Sequence, residues 1–261
     1  MSETAVAIRA RDLTKRYGDV LAVDSLDLAV PSGSIYGFLG PNGAGKTTTI
    51  EMLTTLLVPT SGTATVAGQD VTDRDAVKPH IGYLPDEPPL YEGFSAREQL
   101  SYVAQLRDLD PDSADERIET LLSRVDLAAD ADRLIDTYSQ GMRQKVGLLQ
   151  AILHEPSVVF LDEPTNGLDP RAAREVVDLV GGLSEDGTTV FLSTHILPVV
   201  EELADTLGVL RDGRLVDEGT VQALKRRAAD GSERTLEQAF LEITDDQSLV
   251  ESTPEDTEPA R

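Results

Sequence analysis

The sequence predicts an α/β fold: a mainly parallel sheet, joined by antiparallel N-terminal strands and interrupted by a helical subdomain. Three observations predict it. Strand-like apolar runs alternate with helical patterns, a glycine-rich turn separates one such strand from the next helix, and the chain from Ser95 to about His154 is helical. In chain order, VAIRA and LAVDSLDLAV alternate and turn like strands, and GSIYGFLG runs into the glycine-rich turn and a helix from Gly45. TATVAG and IGYL also fit strands. Ser95 and Glu98 then have capping-box spacing ahead of LSYVAQL, and SADERIETLLSRV carries its apolar residues at helical spacing. Strands return as VVFLDE, TTVFLST and TLGVLRDG, separated by helical patterns such as RAAREVVDLVGGL, which implies a largely parallel sheet covered on both faces. Beyond Gly219, VQALKRRAA and TLEQAFLEI read as helices, the second opened by Thr235 with Gln238 at capping-box spacing. The closing DDQSLVESTPEDTEPAR is acidic and poor in apolar groups, and is expected to be disordered.

Composition narrows the function. The chain has 261 residues, 40% of them hydrophobic, enough for one large core or two modest domains. Its apolar runs, such as Val158–Leu161, fall far short of the roughly 20 residues that cross a bilayer. The start, MSETAVAIRARDLTKRYG, has acids and arginines where a secretion signal needs an apolar core, so the chain is expected in the cytoplasm. It has no cysteine, which excludes disulfides and thiolate metal sites. Against 47 acids stand 23 bases, a net charge of -24. Nucleic acids are gripped by clustered Lys and Arg, whereas here the only run of three is Lys225, Arg226 and Arg227, so no nucleic-acid partner is expected. High negative charge favours solubility at the cost of self-repulsion, which salt screens. With 5 Lys beside 18 Arg, the balance suggests a halophile-like acidic surface and a salt-loving source.

GPNGAGKTT, Gly40 to Thr48, fits G-x-x-x-x-G-K-[ST] and lies between the strand SIYGFL and the helix TTTIEMLTTLL. In that setting Gly40, Pro41, Asn42, Gly43, Ala44 and Gly45 turn backbone N–H groups inward around phosphates. Lys46 reaches the β and γ phosphates, and Thr47, followed by Thr48, offers a hydroxyl to Mg²⁺. An incidental glycine-rich turn is the plainer alternative, and the flanking strand and helix weigh against it. The fold class sharpens to a P-loop NTPase core. VVFLDEPT places Asp162 and Glu163 at the end of an apolar strand, at the sheet edge where ligands of parallel sheets bind. Asp162 would hold the metal, directly or through water, and Glu163 would orient or deprotonate the attacking water. Acids of a solvent-facing turn are the alternative, which the phosphate loop upstream disfavours.

With these motifs the sequence resembles the nucleotide-binding subunit of ABC transporters, from Val6 to about Gly219 and in the family's motif order. YSQGMRQK, Tyr138 to Lys145, is similar to the signature sequence: Ser139 and Gly141 match its serine and second glycine, while Gln140 and Met142 depart from the commonest form. NGLDP carries the D-loop aspartate Asp169, STH the switch histidine His195, and KRYG places Tyr17 at the adenine-stacking position. This signature variant, TLEQAFLEI and GYLPDEPPLY resemble the branch that contains drug and other exporters. Each match has a plainer reading: Ser139 is also a good N-cap, His195 alone would be structural, and Tyr17 could simply pack. His80 and His154 are left as surface residues.

The resemblance implies an ATP-binding domain over 1–230, with its core in 1–86 and 156–230 and its helical insert in about 87–155, followed by a C-terminal helix and acidic tail in 231–261. It implies ATP and Mg²⁺ as cofactors, and a head-to-tail dimer with a second copy or a homologous subunit. A separate integral-membrane permease would hold the subunit on the inner face of the membrane and meet its insert beyond Tyr91. A soluble non-transport ABC-type ATPase and an ATP-binding regulatory module are the rivals. The first would bring tandem cassettes, a long coiled-coil insert, zinc cysteines or a basic face; the second would lack a key residue.

Asp86, in IGYLPDEPPLYEGFS, stands where the family has its Q-loop glutamine. Asp is shorter by roughly 1.5 Å and charged where glutamine is neutral. At 6 Å from a phosphate charge and an effective dielectric near 20, repulsion would be about 3 kcal/mol. The carboxylate is therefore tolerable where it faces Mg²⁺ or points away, and it is expected to contact the metal through water. A solvated hinge stiffened by Pro85, Pro88 and Pro89 is the alternative.

Overall fold

Two long strands, β1 (Val6–Tyr17) and β2 (Val20–Pro31), form an antiparallel hairpin. The computed structural model describes residues 5–227 and 235–245. After the hairpin, β3 (Ile35–Leu39) leads into α1 (Lys46–Leu53), and β4 (Ser61–Val66), β5 (Gln69–Asp70) and the short α2 (Arg74–Val77) follow. Next comes β6 (Ile81–Leu84), then α3 (Ala96–Leu106), α4 (Pro111–Arg124) and α5 (Gln140–Ile152). The chain returns to strand with β7 (Val158–Asp162) and continues through α6 (Pro170–Glu185), β8 (Thr189–Thr194), α7 (Leu197–Leu203), β9 (Thr206–Arg211) and β10 (Arg214–Gly219). The described residues close with α8 (Val221–Arg227) and α9 (Leu236–Asp245).

The strands form two sheets, and the predicted α/β class holds. One is antiparallel, in the order β2-β1-β4-β5; the other runs β10-β9-β3-β8-β7-β6 and is parallel except at its β9–β10 edge. Strand alternation assigns the two faces of the larger sheet to different cores. Tyr36 and Phe38 of β3 join Phe160 and Phe191 on the side of the antiparallel sheet, where Tyr36 and Phe191 stack at 5.4 Å. Ile35, Leu39, Val159, Leu161, Val190 and Leu192 face the helical side with α5 and α6. Full burial of a large apolar side chain contributes about 1.5–3 kcal/mol, so the sheet between two cores is a rigid platform.

Capping signals are realised where they were expected. Ser95 accepts from the Glu98 N–H while Glu98 accepts from the Ser95 N–H, a reciprocal capping box that opens α3. Thr235 and Gln238 do the same before α9. Sequence reading missed β10, although Asp212-Gly213 is a strong hairpin signal: both have positive φ, 50° and 80°, and Arg211 pairs with Arg214 across them. The small β5 and α2 were also missed, being too short for periodicity to register. The disordered tail expected after Asp245, and the last two residues of VQALKRRAA, lie outside the described residues.

His154 corrects the reading that left it on the surface. It is half-buried behind α5, with Nε2 hydrogen-bonded to the Ile81 carbonyl at 2.9 Å. Burial, reinforced by the nearby Arg107 charge, lowers the ring from its ordinary 6.5 to about 4. Between those values the unfolded chain takes up a proton that the folded chain refuses, so stability is full above pH 6.5 and declines as pH falls toward 4. Discounted for solvent access, the loss is about 2 kcal/mol. In His154→Gln, urea midpoints should fall less steeply across this window than in the parent; identical slopes would contradict the assignment.

Candidate functional site

Strand register decides where the predicted residues meet. In the parallel sheet Leu39 pairs with Thr194, Asp162 with Ser193 and Leu84 with Leu161, so β3, β8, β7 and β6 end along one edge. The loops after them bring Asn42, Gly43, Gly45, Lys46, Thr47 and Thr48 together with Asp86, Asp162, Glu163, Asn166 and His195 around a hollow of about 500 Å³. Ala22 of β2 completes its wall. Gly40, Pro41 and Ala44 support the loop from behind, where Ala44 donates to Pro41 and accepts from Gly213.

The phosphate loop has the local features that its residues promise. Gly45 has φ 105°, and a Cβ there would stand 2.4 Å from the Ala22 carbonyl oxygen, so both conformation and space demand glycine. As the residue before α1, Gly45 offers no side-chain cap, and the first turn carries no acid. The opening N–H groups and positive end of α1 therefore border the hollow without a protein carboxylate of their own, which suits a phosphate. Lys46 is buried, with Nζ donating to the carbonyls of Gly40 at 2.8 Å and Pro41 at 3.3 Å.

Opposite stand the two strand-end acids. Asp162 is 2% exposed and accepts from Thr47 Oγ1 at 2.8 Å and from the Ser193 hydroxyl. Glu163 adopts φ 49°, an uncommon conformation for a residue with a long side chain. Its Oε1 lies 3.3 Å from Lys46 Nζ and is buried without a hydrogen-bond partner, while Oε2 is 3.0 Å from His195 Nδ1 and accepts the His195 backbone N–H at 3.2 Å. Lys46, Glu163 and His195 thus form a connected triad. Asp86 lines the hollow and accepts from Asn166 Nδ2 at 3.1 Å. Among the described residues, no cluster of three or more His, Cys, Asp or Glu side chains could hold a metal alone. The donors fit Mg²⁺ only if Thr47 and Asp162 share it with oxygens of a bound phosphate.

Four predicted residues lie elsewhere. Ser139, Gly141 and Asp169 line a second hollow of about 290 Å³, shared with Lys145 and Glu175. Ser139 caps α5 by accepting from Met142 at 3.2 Å, and Asp169 caps α6 by accepting from Arg171 at 2.9 Å and Ala172 at 3.0 Å. The two helices are fixed together by buried Lys145, which bonds Glu175 at 2.6 Å and the Val125 carbonyl at 3.0 Å. Tyr17 is half-exposed at the end of β1, its ring 5.2 Å from Lys15 Nζ, and does not line the first hollow. Sequence reading missed Ala22, Asn166 and Ser193. Ser193 had a faint signal, a polar residue inside the apolar run TTVFLST, and Asn166 stands at the head of the quoted NGLDP; Ala22 had none.

Fold and hollow together define the class, a P-loop NTPase with its glycine-rich loop at the sheet edge. A family model described as ABC transporter matches residues 23–166, and the chain belongs to that family as an ATP-binding subunit that hydrolyses ATP for transport. It is 43% identical over 235 residues to the daunorubicin resistance ATP-binding protein DrrA3 of Streptomyces coeruleorubidus, covering 90% of this chain and 73% of that one. With the bacitracin transport ATP-binding protein BcrA of Bacillus licheniformis the identity is 40% over 222 residues, covering 84% and 72%. A solved ATP-binding subunit of an ABC transporter superposes with a TM-score of 0.82 at 29% identity, covering 91% of this chain and 99% of that one. An ATP-binding cassette solved as a dimer with ADP and phosphate shares the fold, with a TM-score of 0.74 at 23% identity, covering 82% of this chain and 98% of that one. These similarities give no support to the salt-loving source expected from the charge. Among the described residues, no helix is long and apolar enough to cross a membrane, and ABC transporters are complexes with permease subunits.

Proposed function

We propose that two such subunits, copies of this chain or this chain and a homologue, close head to tail so that each ATP lies between the first hollow of one and the second hollow of the other. The observation that carries this reading is the separation of Ser139, Gly141 and Asp169 from Lys46, Asp162, Glu163 and His195 within one chain. Residues 1–86 and 156–230 would act as the ATP-binding core, 87–155 as the insert that meets the permease, and 231–261 as a C-terminal addition. The subunit would work at the cytoplasmic face of the membrane, and its similarity to proteins named for daunorubicin resistance and bacitracin transport supports export.

In this reading the Gly40–Gly45 loop and the start of α1 bind the phosphates, and Lys46 turns from Glu163 toward them. Freed of Lys46, Glu163 orients the attacking water and takes its proton, while His195 donates to the γ-phosphate side. Ser139 and Gly141 of the other subunit add N–H groups and the positive end of α5. Asp169 holds the adjacent start of α6, and Tyr17 offers its exposed ring to adenine. Mg²⁺, held by Thr47 and Asp162 and through water by Asp86, would neutralise phosphate charge. The permease contact is assigned to the ring cluster of Tyr91, Phe94 and Tyr102, whose centroids lie 5.1 to 5.9 Å apart and whose Tyr91 is exposed.

Removing one positioned stabiliser of a transition state raises the barrier by about 2.7–4 kcal/mol, roughly 10²–10³-fold in rate. Glu163→Gln should therefore bind ATP and release phosphate slower by about that factor; normal turnover would remove Glu163 from its role. Asp86→Ala should raise the Mg²⁺ concentration for half-maximal hydrolysis, and an unchanged Mg²⁺ dependence would separate Asp86 from the metal.

A further inference from the structure

Two of the residues that depart from the family's commonest motifs, Asp86 and Gln140, meet on one neighbour. Asn166 donates from Nδ2 to Asp86 Oδ1 at 3.1 Å, and its backbone carbonyl accepts from Gln140 Nε2 at 3.2 Å. Its backbone N–H donates to the Glu163 carbonyl at 3.0 Å, which closes the turn that carries Glu163. The next residue, Gly167, has φ 68°, and a Cβ on it would stand 2.6 Å from Gln140 Nε2. The Gln140 amide thus rests against this turn, in the space beside Gly167 that a larger residue would share. Asp86 and Asn166 line the hollow with Lys46, whereas Gln140 is the first residue of α5, directly after Ser139 of the second hollow.

We propose that Asn166 is a positioning residue that couples the two half-sites of one chain, an inference that rests on the head-to-tail reading. Phosphate or metal entering the first hollow changes the electrostatic surroundings of the Asp86 carboxylate, and hence the acceptor that Asn166 sees. The Glu163–Asn166 turn is closed by its own hydrogen bond, so it shifts as a unit and carries the Asn166 carbonyl, the anchor of Gln140, with it. The first turn of α5 then presents Ser139 differently according to whether its own chain holds nucleotide. These side-chain bonds are solvent-exposed in the single chain, so they rearrange at little cost, as a switch requires. Coupling of this kind is reciprocal: docking of another subunit on Ser139 strengthens nucleotide binding in the first hollow by the factor with which nucleotide favours docking.

The test reads α5 directly. Glu163→Gln protein, kept monomeric by dilution and checked by sedimentation, is compared with and without saturating Mg-ATP by amide hydrogen exchange at Gln140–Arg143. We expect nucleotide to change exchange there by about 5-fold or more, and the change to vanish in Glu163→Gln with Asn166→Ala. The exchanged pair, Asp86→Asn with Asn166→Asp, restores donor and acceptor with roles reversed and should restore the response. An unresponsive α5 in the Glu163→Gln protein, an undiminished response after Asn166→Ala, or a silent exchanged pair would each overturn the proposal. The head-to-tail reading is judged separately, by whether concentrated Glu163→Gln protein sediments as a dimer with Mg-ATP.

Discussion

The site depends first on the parallel register of β3, β8, β7 and β6. Pairing Leu39 with Thr194, Asp162 with Ser193 and Leu84 with Leu161 sends four strand ends to one edge, so residues far apart in sequence meet without any one loop having to reach. A slip of one residue would turn Phe160 and Phe191 out of one core and Leu161 and Leu192 out of the other. The two hydrophobic cores therefore hold the register, and the register holds the site. Among the residues that line the hollow, Glu163 is the non-glycine residue held left-handed, where the chain leaves β7 and its side chain is held between Lys46 and His195.

The same constraint leaves a chain with two incomplete surfaces. The strand-end loops gather the charges that suit a triphosphate, while the starts of α5 and α6, fixed side by side through Lys145 and Glu175, face a different hollow. Both helices are capped by a side chain at their first turn, Ser139 and Asp169, whereas α1 is not. The uncapped helix borders the first hollow within the chain. The capped pair forms a surface that makes chemical sense against a second subunit.

Much of this was legible in the residues because motif and secondary structure coincide there. GPNGAGKTT lies between a strand and a helix, VVFLDE ends a buried strand, and Ser95-Glu98 carries its own capping chemistry. What the sequence concealed are contacts set by topology. Asn166 gives no local sign that it joins Asp86 to Gln140, 80 residues before it and 26 before it respectively. Ala22 reaches the phosphate loop only because the β1–β2 hairpin is laid over the parallel sheet. His154, polar and next to Glu155 in the sequence, read as surface, yet it bonds the Ile81 carbonyl across 73 residues. The β10 edge was a different failure, since the Asp212-Gly213 turn was readable and went unused.

The central claim is that one chain holds half of each ATP site. The absence of cysteine allows a direct measurement, because introduced thiols have no competitors. Asn42, in the first hollow, and Met142, in the second, can be replaced in separate chains, Asn42→Cys in one and Met142→Cys in the other, each with Glu163→Gln. Treated with a short thiol cross-linker and Mg-ATP, the mixture should yield a linked dimer that neither chain forms alone and that disappears without nucleotide. Mixed chains that stay unlinked at saturating Mg-ATP, or a doubly substituted monomer that links internally just as well, would contradict the divided site.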